Sequence, residues 1–362
     1  MISIPTPYRF IIPAAGRPAL KDEVFIHDKR GFHIKMKKKY LIAISLVCLS
    51  IILATYSFEV PRKIEETRSV MDTFATVTVY GNFYGKDEMK NVIDETFFEI
   101  ERVEKITSFY DPKSEIYRLN EDGYLNKEEL TQEVHYLLSR SIYYYELSGG
   151  SFDVTVHPLL ELWKRGLWKE DPSIQDEKVN GALKHVGNEN IIMNNDGILL
   201  LNGASVDLGG IAKGYAVDQA LNILKENGIK RALVDIGGDM GTIGEGWTIG
   251  LANPGDPNEC ITRFKISNGC IATSGNYERY FDPDKKVHHI IDPRTGYPAY
   301  DCMSATVIAK SCTDTDALAT SIFVMGAREG IELIDSIEGV EALAIDEDGT
   351  IYRSAGIGRY EF

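Results

Sequence analysis

Apolar positions follow three different patterns along this chain. Residues 40–56 form a run of seventeen without a single charge. TFATVTVYG (73–81) instead alternates, with β-branched residues, on the two-residue period of a strand. Residues 86–106 place Val92, Phe97, Ile100 and Val103 at helical spacing, and residues 130–147 read likewise. A third helix is predicted within VDLGGIAKGYAVDQALNILKENG (206–228), with Val217, Leu221 and Leu224 turned inward and Gly228 as its stop. The rest of the second half holds short strand-like runs: RALVDIGG, WTIGLANP, TRFKIS, SATVIA and EALAIDEDG. Strands outnumber helices there and do not alternate with them. The pattern predicts an α+β fold, largely antiparallel or mixed sheet with packed helices, arranged as one unit of two interleaved layers.

The uncharged run follows Lys37, Lys38 and Lys39, which makes it a signal or anchor segment rather than a core helix. The lysine side should stay cytoplasmic, so the expectation is an N-in, C-out membrane anchor with an extracytoplasmic domain; a cleaved signal is the rival. Asp22, Glu23 and Asp28 are wrong for an export signal, and Met36 is a second candidate start, which would leave residues 1–35 untranslated. The expected organisation is an N-terminal extension over 1–35, the membrane segment over 36–57, a polar linker over 58–70 and a folded domain over 71–362.

Composition narrows the function. The chain has 362 residues, of which 44% are hydrophobic, enough for a sizeable core. A net charge of -15 argues against nucleic acid, whose binding rests on Lys and Arg neutralising phosphates. The five cysteines include no C-x-x-C pair, so a zinc ribbon or thioredoxin-like motif is not supported. Cys260, Cys270, Cys302 and Cys312 are expected as small core residues, with one disulfide among them the lesser alternative.

Several stretches could carry chemistry. In SCTDTDALAT (311–320), Thr313 with Asp316 three residues later reads as a helix cap. Asp316 and Thr320 also share a helix face opposite Leu318, Ile322 and Met325, so that face is either solvated or holds something. The glycine pair Gly209-Gly210 before a helix allows close approach of a phosphate, and Lys213 in the first turn opposes the helix dipole unless an anion sits nearby. The alternative is a solvated lysine. Asp153 in GGSFDVTVHPL either closes a turn or serves a site. In HHIIDPRTGYP a histidine beside a carboxylate suits acid–base work, although paired histidines at a strand end are commonly surface residues.

Taken in order, MDTFATV, FYDPKSEIYRLN, GGSFDVTVHPL, VDLGGIAKGYAVD, VDIGGD, ATSGNYERYF, HHIIDPRTGYP and TDALAT resemble the ApbE family of flavin transferases, from Met71 nearly to the C-terminus. The resemblance implies a membrane-attached, extracytoplasmic, magnesium-dependent enzyme. Such an enzyme cleaves FAD and attaches FMN through its phosphate to a threonine or serine of an acceptor flavoprotein. Carried over by position, it implies Mg²⁺ on Asp316, Thr320 and the Gly210 carbonyl. It implies FAD contacts from Met71, Tyr110, Ser151, Phe152, Asp153, Asp207, Lys213 and Ile290. His289 is the expected general base, with His288 on the opposite face of the strand and Asp153 and Asp207 as other candidates. His157 departs from the family pattern, standing where TVGPL usually has glycine. Two alternatives stay open: an FAD pyrophosphatase releasing FMN and AMP, and a flavin-binding surface protein without turnover.

Overall fold

The runs SATVIA and EALAI of the second half are buried on both faces, and the architecture follows from that. The computed structural model describes residues 23–27, 33–59, 62–81, 85–277, 279–284 and 287–362. The chain divides into two units, Met1–Arg62 and Lys63–Phe362. In the first, β1 (Glu23–His27) pairs antiparallel with β2 (His33–Lys37), and α1 (Lys38–Glu59) takes up the uncharged run. Most of the predicted extension 1–35 lies outside the described residues. Among the described residues, no helix is long and apolar enough to cross a membrane.

The second unit begins with the hairpin β3 (Arg62–Val70) and β4 (Thr73–Gly81), then α2 (Lys86–Thr107), α3 (Glu115–Asp122), β5 (Tyr124–Asn126) and α4 (Gln132–Leu147). There follow α5 (His157–Lys164), α6 (Pro172–Ala182), β6 (Ile191–Met193), β7 (Gly197–Leu200) and α7 (Ala212–Glu226). Next come β8 (Arg231–Ile236), β9 (Asp239–Ile243), β10 (Trp247–Asn253), β11 (Asp256–Ile266) and β12 (Cys270–Gly275). The chain closes with β13 (Ser304–Ala309), α8 (Cys312–Met325), α9 (Ala327–Asp335), β14 (Glu341–Ile345) and β15 (Ile351–Arg353). The main sheet has eight strands in the order β15-β14-β13-β12-β9-β8-β4-β3, and its described registers are antiparallel. The α+β expectation holds.

The expected two layers are three. Along β14, Ala342 and Ala344 belong to the core under the helices, while Leu343 and Ile345 belong to a second core. Ile249, Leu251, Phe264 and Ile266 of the hairpin β10–β11 complete that second core, so the hairpin covers the sheet face away from α7 and α8. Alternation on a period of two sends small residues one way and large ones the other. Each fully buried Leu or Ile contributes about 1.5–3 kcal/mol.

The stretch read as a linker is, from Arg62, the edge strand β3. Its charges alternate in exposure, and Lys63–Glu65 and Arg68–Glu66 pair at 2.7 Å, so no apolar alternation marks it. Charged side chains are how a sheet edge avoids pairing with another chain. Cys270, Cys302 and Cys312 are buried as expected; Cys260, expected in the core, is exposed on β11, and all are free thiols.

The cap of α8 also differs from expectation. Ser311, not Thr313, is the N-cap, its hydroxyl accepting from the Asp314 N–H. Thr313 lies two residues past the cap: its N–H and hydroxyl both donate to Asp218 of α7, at 2.9 and 2.7 Å. The Asp218 carboxylate also accepts from the Cys312 N–H at 2.8 Å and the Ser311 hydroxyl at 2.9 Å. Charged acceptors at a helix N-terminus satisfy orphan donors and complement the dipole. Asp218→Ala leaves four donors without this acceptor and is expected to lower stability by about 3 kcal/mol, read as a fall in urea midpoint at constant m-value.

Candidate active site

The start of α7 lacks a side-chain cap of its own, its N-cap being Ile211. The Gly214 N–H of its first turn donates instead to Asp316 Oδ2 of α8, at 2.9 Å. Asp316 is therefore neither a cap for its own helix nor solvated; it is buried, at 3% exposure. Gly214 permits the contact, because a methyl group there would overlap the Cys312 carbonyl. Lys213, beside it, pairs with Asp239 at the start of β9 and lies 3.5 Å from Asp316 Oδ1. Burial works against the Lys213 ammonium, but the two carboxylates outweigh it and its pKa is raised. Asp239 is pushed up by burial and by Asp316, with Lys213 opposing.

One turn beyond Asp316, Thr320 Oγ1 lies 3.2 Å from Ser274 Oγ of β12. Gly210 sits against the same hydroxyl: a side chain there would meet Phe152 at 3.1 Å and Thr320 Oγ1 at 3.5 Å. The predicted metal residues Gly210, Asp316 and Thr320 are thus brought together. What converges there is a carboxylate, a hydroxyl and the backbone of a glycine, with two carboxylates set against one ammonium. A net negative set of oxygens suits a hard divalent cation.

The loop before α7 gathers the other predicted residues. Asp207 Oδ1 accepts from the Gly209 N–H at 2.8 Å, its own N–H donates to the Val154 carbonyl at 2.7 Å, and Oδ2 lies 3.3 Å from His157 Nδ1. His157, the departure from the family pattern, stacks on Phe109 at 3.6 Å, and Phe109 meets Tyr110 edge-on. Tyr110 is exposed, and its hydroxyl accepts from Lys164 at 3.1 Å. Ser151 is buried, and its hydroxyl has no partner among the described residues. Asp153 Oδ1 accepts from the Thr155 N–H at 2.7 Å and hydroxyl at 2.6 Å, closing a turn; burial lifts its pKa to about 6 despite those bonds.

His288 and His289 do part company, although their segment forms isolated bridges rather than a strand. His288 is buried against Phe323 and Tyr300. His289 is half-buried, with Nδ1 3.3 Å from the Arg279 carbonyl, which makes Nδ1 the donor and leaves Nε2 unprotonated. Burial pushes its pKa down to about 4; the Arg279 carbonyl opposes this, and the nearby Arg279 and Lys213 charges add to it. Arg279 also donates to the Asp72 carbonyl at 3.3 Å, in the turn where Met71 and Asp72 hold φ of 54° and 55°. Two successive left-handed residues without glycine are uncommon, and this pair is held by the Met71 N–H donating to Glu104 at 2.7 Å. Ile290 is buried, its carbonyl accepting from the Ala299 N–H at 3.1 Å.

Residues 71–344 match the ApbE family. The chain belongs to that family. It is 29% identical over 324 residues to the FAD:protein FMN transferase of Treponema pallidum, covering 82% of this chain and 88% of that one. It is 30% identical over 279 residues to one from Klebsiella pneumoniae, covering 75% and 87%. Among solved structures it is similar to the ApbE protein of Thermotoga maritima, with TM-score 0.74, 31% identity, and coverage of 83% and 100%. The flavin transferase ApbE of Vibrio cholerae gives TM-score 0.71, 27% identity, and coverage of 83% and 99%.

Sequence reasoning missed Asp239, Asp218, Ser274 and Arg279. The first two stand inside the family motifs VDIGGD and GYAVD, but their partners lie 26 and more than 90 positions away. Gly214→Ala should separate α7 from α8 against the small gain in helix propensity, at a net cost of about 3 kcal/mol, read as a fall in urea midpoint.

Proposed function

We propose that this chain is a Mg²⁺-dependent FAD:protein FMN transferase, which cleaves FAD and attaches FMN by a phosphoester bond to a threonine or serine of an acceptor flavoprotein, releasing AMP. The observation that carries this reading is the convergence of Lys213, Asp316, Thr320 and Gly210 where the start of α7 packs against α8. The transferase names of the relatives support it.

A magnesium ion held by Asp316, Thr320 and the Gly210 carbonyl would neutralise charge on the phosphoryl oxygens. Lys213 adds a fixed positive charge at the same place; 29% of its side chain is exposed. Asp239, by pairing with it, fixes where that charge sits. His289 is neutral at pH 7, and its free Nε2 is the atom that takes the proton of the acceptor hydroxyl. In this reading Met71, Tyr110, Ser151, Phe152, Asp153, Asp207, Lys213 and Ile290 would contact FAD, Tyr110 by its exposed ring. The segment ahead of the catalytic unit is an N-in, C-out anchor in this reading, supported by three lysines ahead of seventeen uncharged residues.

Incubating the protein with FAD, Mg²⁺ and a threonine-bearing acceptor domain should yield FMN on the acceptor and AMP in solution. Asp316→Asn should abolish transfer, and His289→Ala should slow it by about 10²–10⁴ while FAD still binds. Free FMN as the product would replace transfer by hydrolysis, and intact FAD would end the catalytic reading. The anchor is checked separately: the protein should sediment with membranes and be digested by protease added outside the cell. A soluble mature form beginning after about residue 54 would mean a cleaved signal instead.

A further inference from the structure

Beside the Lys213 cluster, Cys270 at the start of β12, Cys312 in the first turn of α8 and Asp218 of α7 bring two sulfurs and a carboxylate oxygen within 4.8 Å of one another. We propose that these three side chains form a site for a thiophilic divalent cation of the zinc class, with a ligand set distinct from the oxygens around Asp316. Asp218 Oδ2 is saturated by Ser311 and Thr313, whereas Oδ1 accepts one N–H, from Cys312, and has Cys270 Sγ 3.9 Å away. Tetrahedral zinc with two thiolates and a carboxylate needs ligand atoms roughly 3.5–4 Å apart, from metal–ligand bonds of about 2.0–2.3 Å. The observed spacing requires only a small contraction.

Three further features favour a ligand over a plain thiol pair. Gly241 of β9 lets the strand approach closely, since a side chain there would meet Leu221 at 2.5 Å, Val217 at 2.7 Å and Cys312 Sγ at 2.9 Å. The thiols' own partners are weak: Cys270 reaches the Lys310 carbonyl at 3.6 Å and Cys312 the Met240 carbonyl at 3.5 Å. A pocket of about 260 Å³, lined by Asp218, Cys270, Thr242, Asn268, Lys310 and Ser311, opens beside two of the three ligands and gives water access to them, while Cys312 lies behind it. None of Lys213, Asp239, Asp316, Thr320 or His289 lines it. On binding, each thiol releases its proton to solvent and the two thiolates and Asp218 ligate the metal, so affinity rises with pH. Two soft sulfurs select against magnesium, which keeps this site apart from the oxygen cluster around Asp316.

The test is a Cd²⁺ titration of the reduced, metal-free full-length protein, followed in the ultraviolet thiolate-to-cadmium charge-transfer band. The expected result is a band that saturates at one equivalent and is reversed by Zn²⁺. It should be absent in C270S and in C312S and retained in C260S and C302S. No band in the wild type, or a band that survives C270S and C312S, overturns the proposal. Because the serine variants remove core side chains, zinc-edge X-ray absorption of the wild-type zinc form gives a second readout. Two sulfur neighbours at about 2.3 Å are expected, and a shell of oxygen and nitrogen alone refutes the site.

Discussion

Two carboxylates exchanged between α7 and α8 hold the catalytic unit's site in place. Asp218 of α7 gathers four donors at the start of α8, and Asp316 of α8 takes an N–H from the start of α7. Each helix supplies the acceptor that the other's first turn lacks. The exchange brings both N-termini together, so two positive dipole ends and Lys213 face two carboxylates in one place. Such a cluster is costly to bury unless every member is paired, and here the pairing spans α7, α8 and β9. The site's geometry is therefore a by-product of how the helices are capped.

The helix–sheet division was legible because burial writes itself as periodicity. Val92, Phe97, Ile100 and Val103 are buried on α2, and Val217, Leu221 and Leu224 on α7, as their spacing predicts. The edge strand β3 was not legible, since a strand that turns charges outward carries no apolar alternation. The third layer was hidden for a related reason. ALAI (342–345) is apolar throughout, and nothing in four such letters says that alanines face helices while leucine and isoleucine face a hairpin.

The candidate site was legible as a set of residue types and not as a set of partners. Asp316 and Thr320 share a face by helical arithmetic, but the same arithmetic gave Thr313 the cap that Ser311 makes. The hydroxyl of Thr313 is claimed by Asp218, 95 positions away in sequence. Lys213 was readable as a cation in need of an anion; that Asp239 and Asp316 both answer depends on β9 and α8 arriving at one spot.

The hairpin β3–β4 has a mechanical consequence. Its turn, at Met71 and Asp72, lies at the same end of the sheet as Asp239, since the Gly237 N–H donates to the Phe74 carbonyl at 3.1 Å. Strand β3 runs for nine residues before that turn, roughly 30 Å at about 3.3 Å per residue. The chain thus enters the sheet at the far end and is threaded toward the site along its outermost strand. A force applied at Arg62 would load that strand lengthwise, across ladder bonds that must shear together, before it reached the site.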